Sequence, residues 1–343
     1  MDPLQFVPIL VVGFAFSLGL TPLSRALALR FNVVAVPSGR NIHSDRKPLM
    51  GGMAMYAGLA LALLLFSPPA YVAELVTVLL GAGFLAAIGL LDDRYNLGIK
   101  VRLAAQALAT VFLILSGISI QLTSFWPINA ALTIVWVLAI TNAVNFLDNM
   151  DGLAAGLTAI AGSAFTLIAY AEGLILVSML GAALAGSAVG FLIYNFNPAS
   201  SFMGDMGSLV LGFMLAVLGI KLEFGTQPLG VTWMVPVLVL ALPAFDISLV
   251  VLTRLLEGRS IGQGGKDHTS HRLMAAGLSQ RQTLMVLYAF CAIYGGLGFV
   301  VSVAQPEIVL AVGLAGLAGL AVLYPVMFWL RKKYQLKVQS AEC

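Results

Sequence analysis

The chain has 343 residues, 60% with hydrophobic side chains and only 10% charged, and its mean hydropathy is +0.99. A water-soluble domain is about a quarter charged and a disordered chain is poor in apolar residues, so both classes are excluded. With a formal charge of +3 and two cysteines, Cys291 and Cys343, no CxxC metal site exists and no nucleic-acid partner is expected.

A bilayer-crossing helix needs about 20 mainly apolar residues. This predicts an all-α, polytopic membrane bundle of about eleven spans, or ten, near 4–23, 51–67, 75–91, 101–120, 128–145, 152–170, 174–194, 207–222, 231–253, 282–303 and 308–330. Residues 1–343 read as one membrane-embedded domain with 331–343 as a basic cytoplasmic tail. The first span has Asp2 ahead and Arg25 behind. A cleavable signal peptide has its basic end first, so a retained span with its N-terminus outside is expected. The alternating ten-residue pattern of barrel strands is absent.

All 18 Lys and Arg except Lys221 fall in the loops after spans 1, 3 and 9 and in the tail. The positive-inside rule places that side in the cytoplasm. The same side collects the three histidines and Asp45, Asp92, Asp93, Asp148, Asp151, Asp205, Asp246, Glu257 and Asp267. Solvation explains any one of these charges, but not acids gathered in five loops on one face. An active surface at the cytoplasmic face of the cell membrane is the economical reading.

After span 3, Asp92 and Asp93 stand adjacent, followed by Arg94, Lys100 and Arg102. Such a pair either binds a hard cation such as Mg²⁺ or is a polar stop signal paired with Arg94. After span 5, Asn142, Asn145 and Asn149 recur on one helical face, with Asp148 and Asp151 just before Gly152. A cap with an Asx turn uses one or two of these residues, not five, so a polar ligand is indicated. After span 7, Phe202-Met-Gly-Asp205 leads into the next helix, as an N-cap or a phosphate-binding turn. After span 9, Lys266, His268, His271 and Arg272 form an anion cradle or a solvated basic loop. No HExxH zinc motif occurs.

As an ordered set, LLDDRYNLGIKVRLAAQ, TNAVNFLDNMDGLAAG, NPASSFMGDMGSL and KDHTSHRL resemble the polyprenyl-phosphate N-acetylhexosamine-1-phosphate transferase superfamily of WecA-, TagO- and MraY-like enzymes. The resemblance runs from PSGRNIHSDRKPLMGG to about residue 275. It implies transfer of a sugar 1-phosphate from a UDP-N-acetylhexosamine to a polyprenyl phosphate, with Mg²⁺ or Mn²⁺ and commonly as a homodimer. By motif, Asp92 and Asp93 match the paired aspartates beside the lipid phosphate, and Lys100 and Arg102 match the basic positions that follow. Asn145, Asp148 and Asp151 match nucleotide-side polar residues, Phe202 a uracil-stacking aromatic, and Asp205 a metal-binding aspartate. His268 and His271 match the outer histidines of His-x-His-His-Arg, where Ser270 replaces the inner one. Val36 stands where many members have Asp. The absence of three consecutive histidines moves the chain from MraY towards the GlcNAc-1-phosphate branch.

The residues suit this chemistry. Phosphoryl transfer needs neutralised charge and in-line placement, with Asp205 and Asp92 or Asp93 on the metal and His268, His271, Lys100 and Arg272 on phosphate oxygens. The remaining aspartate orients or deprotonates the lipid phosphate; a covalent aspartyl intermediate is the competing route. Pro236 and Pro243 predict a broken ninth span, with a groove for the prenyl tail and Phe245 and Asp246 at its mouth. Three rival readings are weighed. A phospho-MurNAc-pentapeptide transferase shares most motifs. A secondary transporter needs ionisable groups at the midplane, where only Asp246 lies. A CDP-alcohol phosphotransferase needs Arg where Gly156 stands.

Overall fold

Each apolar run is helical in the computed structural model, which describes residues 6–35, 47–224, 232–260 and 265–339. In chain order the helices are α1 (Val7–Arg30), α2 (Gly51–Phe66), α3 (Val72–Tyr95), α4 (Ile99–Leu115), α5 (Trp126–Leu147) and α6 (Leu153–Ala171). They continue with α7 (Ile175–Asn195), α8 (Gly204–Ile220), α9 (Met234–Val239), α10 (Ala241–Leu256), α11 (Thr269–Ala275), α12 (Gln280–Val303) and α13 (Pro306–Gln339). Among the described residues the strands are one short antiparallel pair, β1 (Val34–Ala35) and β2 (Lys47–Pro48).

Among the described residues, seven helices have the length and composition to cross a bilayer: α1, α3, α5, α6, α7, α12 and α13. The apolar helices α2 and α8 are shorter, at 16 and 17 residues. The chain is therefore a multi-pass helical membrane protein. All eleven apolar stretches have a helical counterpart, but fewer than eleven are long enough to span alone. The ninth stretch is split: α9 ends at Val239 and α10 begins at Ala241. Pro243 has no N–H to offer the carbonyl four residues back, so the ladder lapses there.

The middle of the bundle is α7, with 83% of its most apolar window buried, against 17% for α13. It packs against α1, α2 and α6. Gly186 and Gly190, one turn apart, lie directly on the α1 backbone at Leu10 and Phe14. Small residues at this spacing let membrane helices approach closely. Outward-facing Leu65, Leu80, Leu115 and Val135 stay exposed, as a lipid-facing surface requires.

Residues 331–339 of the basic segment prolong α13 as its last turns. Val36 and His43 lie outside the described residues. Phe245 and Asp246 are buried, at 3% and 0% exposure, and Phe245 packs edge-on against Tyr324. They sit inside the bundle and do not form the mouth of a tail groove.

Candidate active site at one end of the bundle

Four helix ends meet at an acidic centre. Asp92 and Asp93 close the last turn of α3, and Asn96, in the left-handed conformation with φ 58°, ends it. The chain then doubles back so that Leu97 N–H donates to Asp92 Oδ1 at 2.6 Å. The turn also brings in Arg102 from α4, whose Nη1 lies 3.0 Å from Asp92 Oδ2 and 2.8 Å from Asp205 Oδ2. Asn145, near the end of α5, donates to Asp205 Oδ1 at 2.7 Å and to Ser208 Oγ at 2.8 Å. Arg94, the partner expected for the aspartate pair, instead donates to the carbonyl of Phe31.

The two adjacent aspartates have different work. Asp93 accepts N–H bonds from Asp205 at 2.8 Å and Met206 at 3.2 Å, one on each carboxylate oxygen. It caps the N-terminus of α8 from another helix, where a negative charge meets the helix dipole. Gly204 makes this possible: it has φ +69°, and a Cβ there would overlap Asp93 Oδ2 and the Leu49 carbonyl. Asp92 and Asp205 are left as the pair that shares a cation.

Asp148, just past α5, is partly buried. Burial, then the carboxylates of Asp205, Asp93 and Asp151, push its carboxyl well above the usual range. Asp151 is buried and accepts from Ala199 N–H at 2.9 Å and Asn197 Nδ2 at 3.3 Å. It therefore ties the turn before α6 to the loop before α8.

That loop carries Phe202 and is clamped by a residue that the motif reading passed over. Lys47 donates to the Ala199 carbonyl at 2.6 Å, and its ammonium lies 5.5 Å from the Phe202 ring centroid. Backbone bonds from Phe202 N–H to Pro48 and from Gly51 N–H to Phe202 complete the clamp. The signal was present in the sequence as the second of two adjacent basic residues, Arg46 and Lys47, directly before Pro-Leu-Met-Gly-Gly.

The histidine loop folds back onto the end of α5. The His268 ring lies 6.0 Å from Phe146 and 5.8 Å from His271. Ser270 is fully buried and donates to Asn149 Oδ1 at 3.0 Å, so a small hydroxyl, rather than an imidazole, docks this loop. His271 Nδ1 is buried with no hydrogen-bond partner among the described residues. Burial, then the neighbouring His268, depresses its imidazole to about 4, so His271 is neutral at pH 7.

Arg272 departs from its expected role. Its Nε, Nη1 and Nη2 donate to Asp267 O, Met327 O and Thr253 Oγ1 at 2.9, 2.9 and 2.7 Å, and it is 4% exposed. Three of its five N–H donors are thus spent on α10, α13 and its own loop, which makes Arg272 a strut between them. Lys100, by contrast, is exposed in the first turn of α4.

Among the described residues no group of three or more His, Cys, Asp or Glu side chains is arranged to enclose a metal ion. Mg²⁺ does not need such a cage; one or two carboxylates suffice when water and substrate phosphates complete the shell. Asp92 and Asp205 meet that requirement, since their oxygens already converge on one cationic nitrogen of Arg102.

Residues 75–223 match the model of a family described as glycosyl transferase family 4. The chain is 33% identical over 294 residues to a Bacillus subtilis (strain 168) protein named "Probable undecaprenyl-phosphate N-acetylglucosaminyl 1-phosphate transferase", covering 83% of this chain and 82% of that one. It is also 33% identical over 308 residues to a decaprenyl-phosphate N-acetylglucosaminephosphotransferase of Mycolicibacterium smegmatis, covering 78% and 75%. A Yersinia pestis undecaprenyl-phosphate alpha-N-acetylglucosaminyl 1-phosphate transferase is 26% identical over 309 residues, covering 85% and 83%.

Proposed function

The chain belongs to glycosyl transferase family 4, and from that premise we propose that it transfers N-acetylglucosamine 1-phosphate from UDP-N-acetylglucosamine to a polyprenyl phosphate. The products are UMP and a polyprenyl diphosphate sugar for a cell-envelope glycan. The site works at the cytoplasmic face of the cell membrane. One observation carries this reading: Asp92, Arg102, Asn145 and Asp205 converge from α3, α4, α5 and α8.

The reaction joins an oxygen of the lipid phosphate to the β-phosphorus of the donor and breaks the bond from that phosphorus to the bridging oxygen, which leaves on UMP. A phosphate monoester has a second pKa of about 6, so at neutral pH the attacking oxygen is already ionised. What the protein must supply is placement and charge cancellation. Mg²⁺ held by Asp92 and Asp205 would supply a Lewis acid and a template. Arg102 and the exposed Lys100 offer cationic donors beside the pair, His268 and His271 add ring nitrogens, and Phe202 offers a face for uracil. Both oxygens of Asp93 accept backbone N–H groups, which favours direct attack over a covalent aspartyl intermediate. For the prenyl tail, an apolar groove of about 340 Å³ lies between α3 and α4, lined by Leu80, Phe84, Leu108 and Phe112. Both of its walls lead towards the acidic centre.

The test is UMP release from purified protein with undecaprenyl phosphate, Mg²⁺ and a panel of UDP-sugars. UDP-N-acetylglucosamine should be turned over and EDTA should stop it. Turnover of UDP-MurNAc-pentapeptide alone would move the chain to the peptidoglycan branch, and turnover of none would overturn the reading.

A further inference from the structure

Asp246 is a carboxylate with no exposed surface, ten residues before the end of α10. That is about 15 Å along a helix, a depth at which an unpartnered carboxylate is costly. The histidine loop comes to it. Asp246 Oδ2 is 2.7 Å from His268 Nδ1, and Oδ1 accepts the Thr269 N–H at 2.7 Å. Capping the first turn of α11 accounts for one oxygen, and a neutral amide would serve as well. The second oxygen needs another reason. An ionised carboxylate only accepts, so the imidazole proton must sit on Nδ1. Nε2 is then the nitrogen left to work, and it has no hydrogen bond among the described residues. The ring carrying it sits between Phe146 and His271, and Phe146 follows Asn145, which holds Asp205.

We propose that Asp246 is a positioning residue that holds His268 as its Nδ1–H form, so that Nε2 is presented to a phosphate oxygen of the substrates. As a neutral ring, His268 then offers a lone pair at Nε2 to a phosphate oxygen that carries a proton. As an imidazolium stabilised by Asp246, it offers an Nε2–H to an ionised oxygen. Asp246→Asn separates this role from capping. The Asn oxygen can still accept from Thr269, but its NH₂ faces Nδ1 and forces the ring proton onto Nε2. Holding an imidazole in the wrong tautomer is a known way to lose catalysis with geometry intact.

The inference rests on the transferase reading only for its kinetic arm, and two measurements test it. In ¹⁵N-histidine-labelled wild-type protein, the His268 signals, assigned by their loss in His268→Asn, should show a protonated Nδ1. A neutral ring with its proton on Nε2 would overturn the proposal whether or not the enzyme is active. In UMP release, Asp246→Asn should lower kcat by on the order of 100-fold or more, with little change in KM for the UDP-sugar. The double variant Asp246→Asn/His268→Asn should be no worse than His268→Asn alone, because one residue acts through the other. Full wild-type kcat in Asp246→Asn, or losses that multiply in the double variant, would overturn it.

Discussion

At the scale of single residues, the structure divides aspartates that are adjacent in sequence. Asp92 shares Arg102 with Asp205, whereas Asp93 caps α8. Asp92→Asn and Asp205→Asn should therefore abolish transfer while leaving thermal unfolding nearly unchanged. Asp93→Ala should abolish transfer and also destabilise the fold by about 1 kcal/mol, the usual cost of replacing a capping aspartate by alanine. Matching melting curves and UMP release for the three variants check this, and equal stability of all three would refute the cap. The pair itself was legible in the sequence. Its division was not, because the N–H groups that claim Asp93 lie more than a hundred residues away, and nothing local to α3 announces them.

Phe202 and His271 carry two further expectations at this scale. If uracil stacks on Phe202, Phe202→Ala should weaken UDP-sugar binding by roughly 1–3 kcal/mol and leave polyprenyl phosphate binding little changed; unaltered UDP-sugar affinity would place the base elsewhere. For His271, the folded state holds the imidazole at about 4, below its ordinary value of 6.5. As pH falls from 6.5 towards 4, the unfolded chain takes a proton that the folded one refuses, so stability is lost across that window. His271→Gln removes this group, and its unfolding midpoint should fall less steeply over the same range. A profile parallel to wild type would contradict the assignment.

At the scale of elements, the helices were legible because each apolar run announces itself, and the break in the ninth was legible from Pro243. The assembly of the histidine loop was not. Sequence shows Lys266, His268, His271 and Arg272 as one basic cluster, and charge alone suggests a shared anion. In space they separate: His268 meets Asp246, Ser270 docks on Asn149, and Arg272 ties α11 to α10 and α13. A short helix such as α11 has little stability of its own, so that strut holds the loop in place. Arg272→Met should cost about 3 kcal/mol or more, since each hydrogen bond to a charged group is worth 1.5–3 kcal/mol, and should lower the unfolding midpoint accordingly. A variant with native stability but a raised KM for the UDP-sugar would restore Arg272 to phosphate binding.

At the scale of the whole molecule, every role depends on the motif-bearing ends sharing one side of the membrane. Asp93 on α3 bonds the start of α8, Asn145 on α5 bonds Asp205, and Ser270 bonds Asn149. A 24-residue helix such as α3 spans about 36 Å, more than the ~30 Å hydrocarbon layer, so no one of these ends can be moved across without parting these bonds. Arg30, Lys47, Arg94, Lys100, Arg102, Arg254 and Arg259 crowd this side, while Lys221 at the other is neutralised by Glu74. Positive-inside bias predicts that this side faces the cytoplasm, as the proposed transfer from a UDP-sugar requires. Ala275, at the end of α11, and Ser124, before α5, are both exposed and belong to opposite sides. In a background lacking Cys291 and Cys343, Ala275→Cys should resist an impermeant thiol reagent in intact spheroplasts and react after permeabilisation. Ser124→Cys should react in both. Labelling of Ala275→Cys from outside would invert the bundle and strand its site away from the nucleotide-sugar pool.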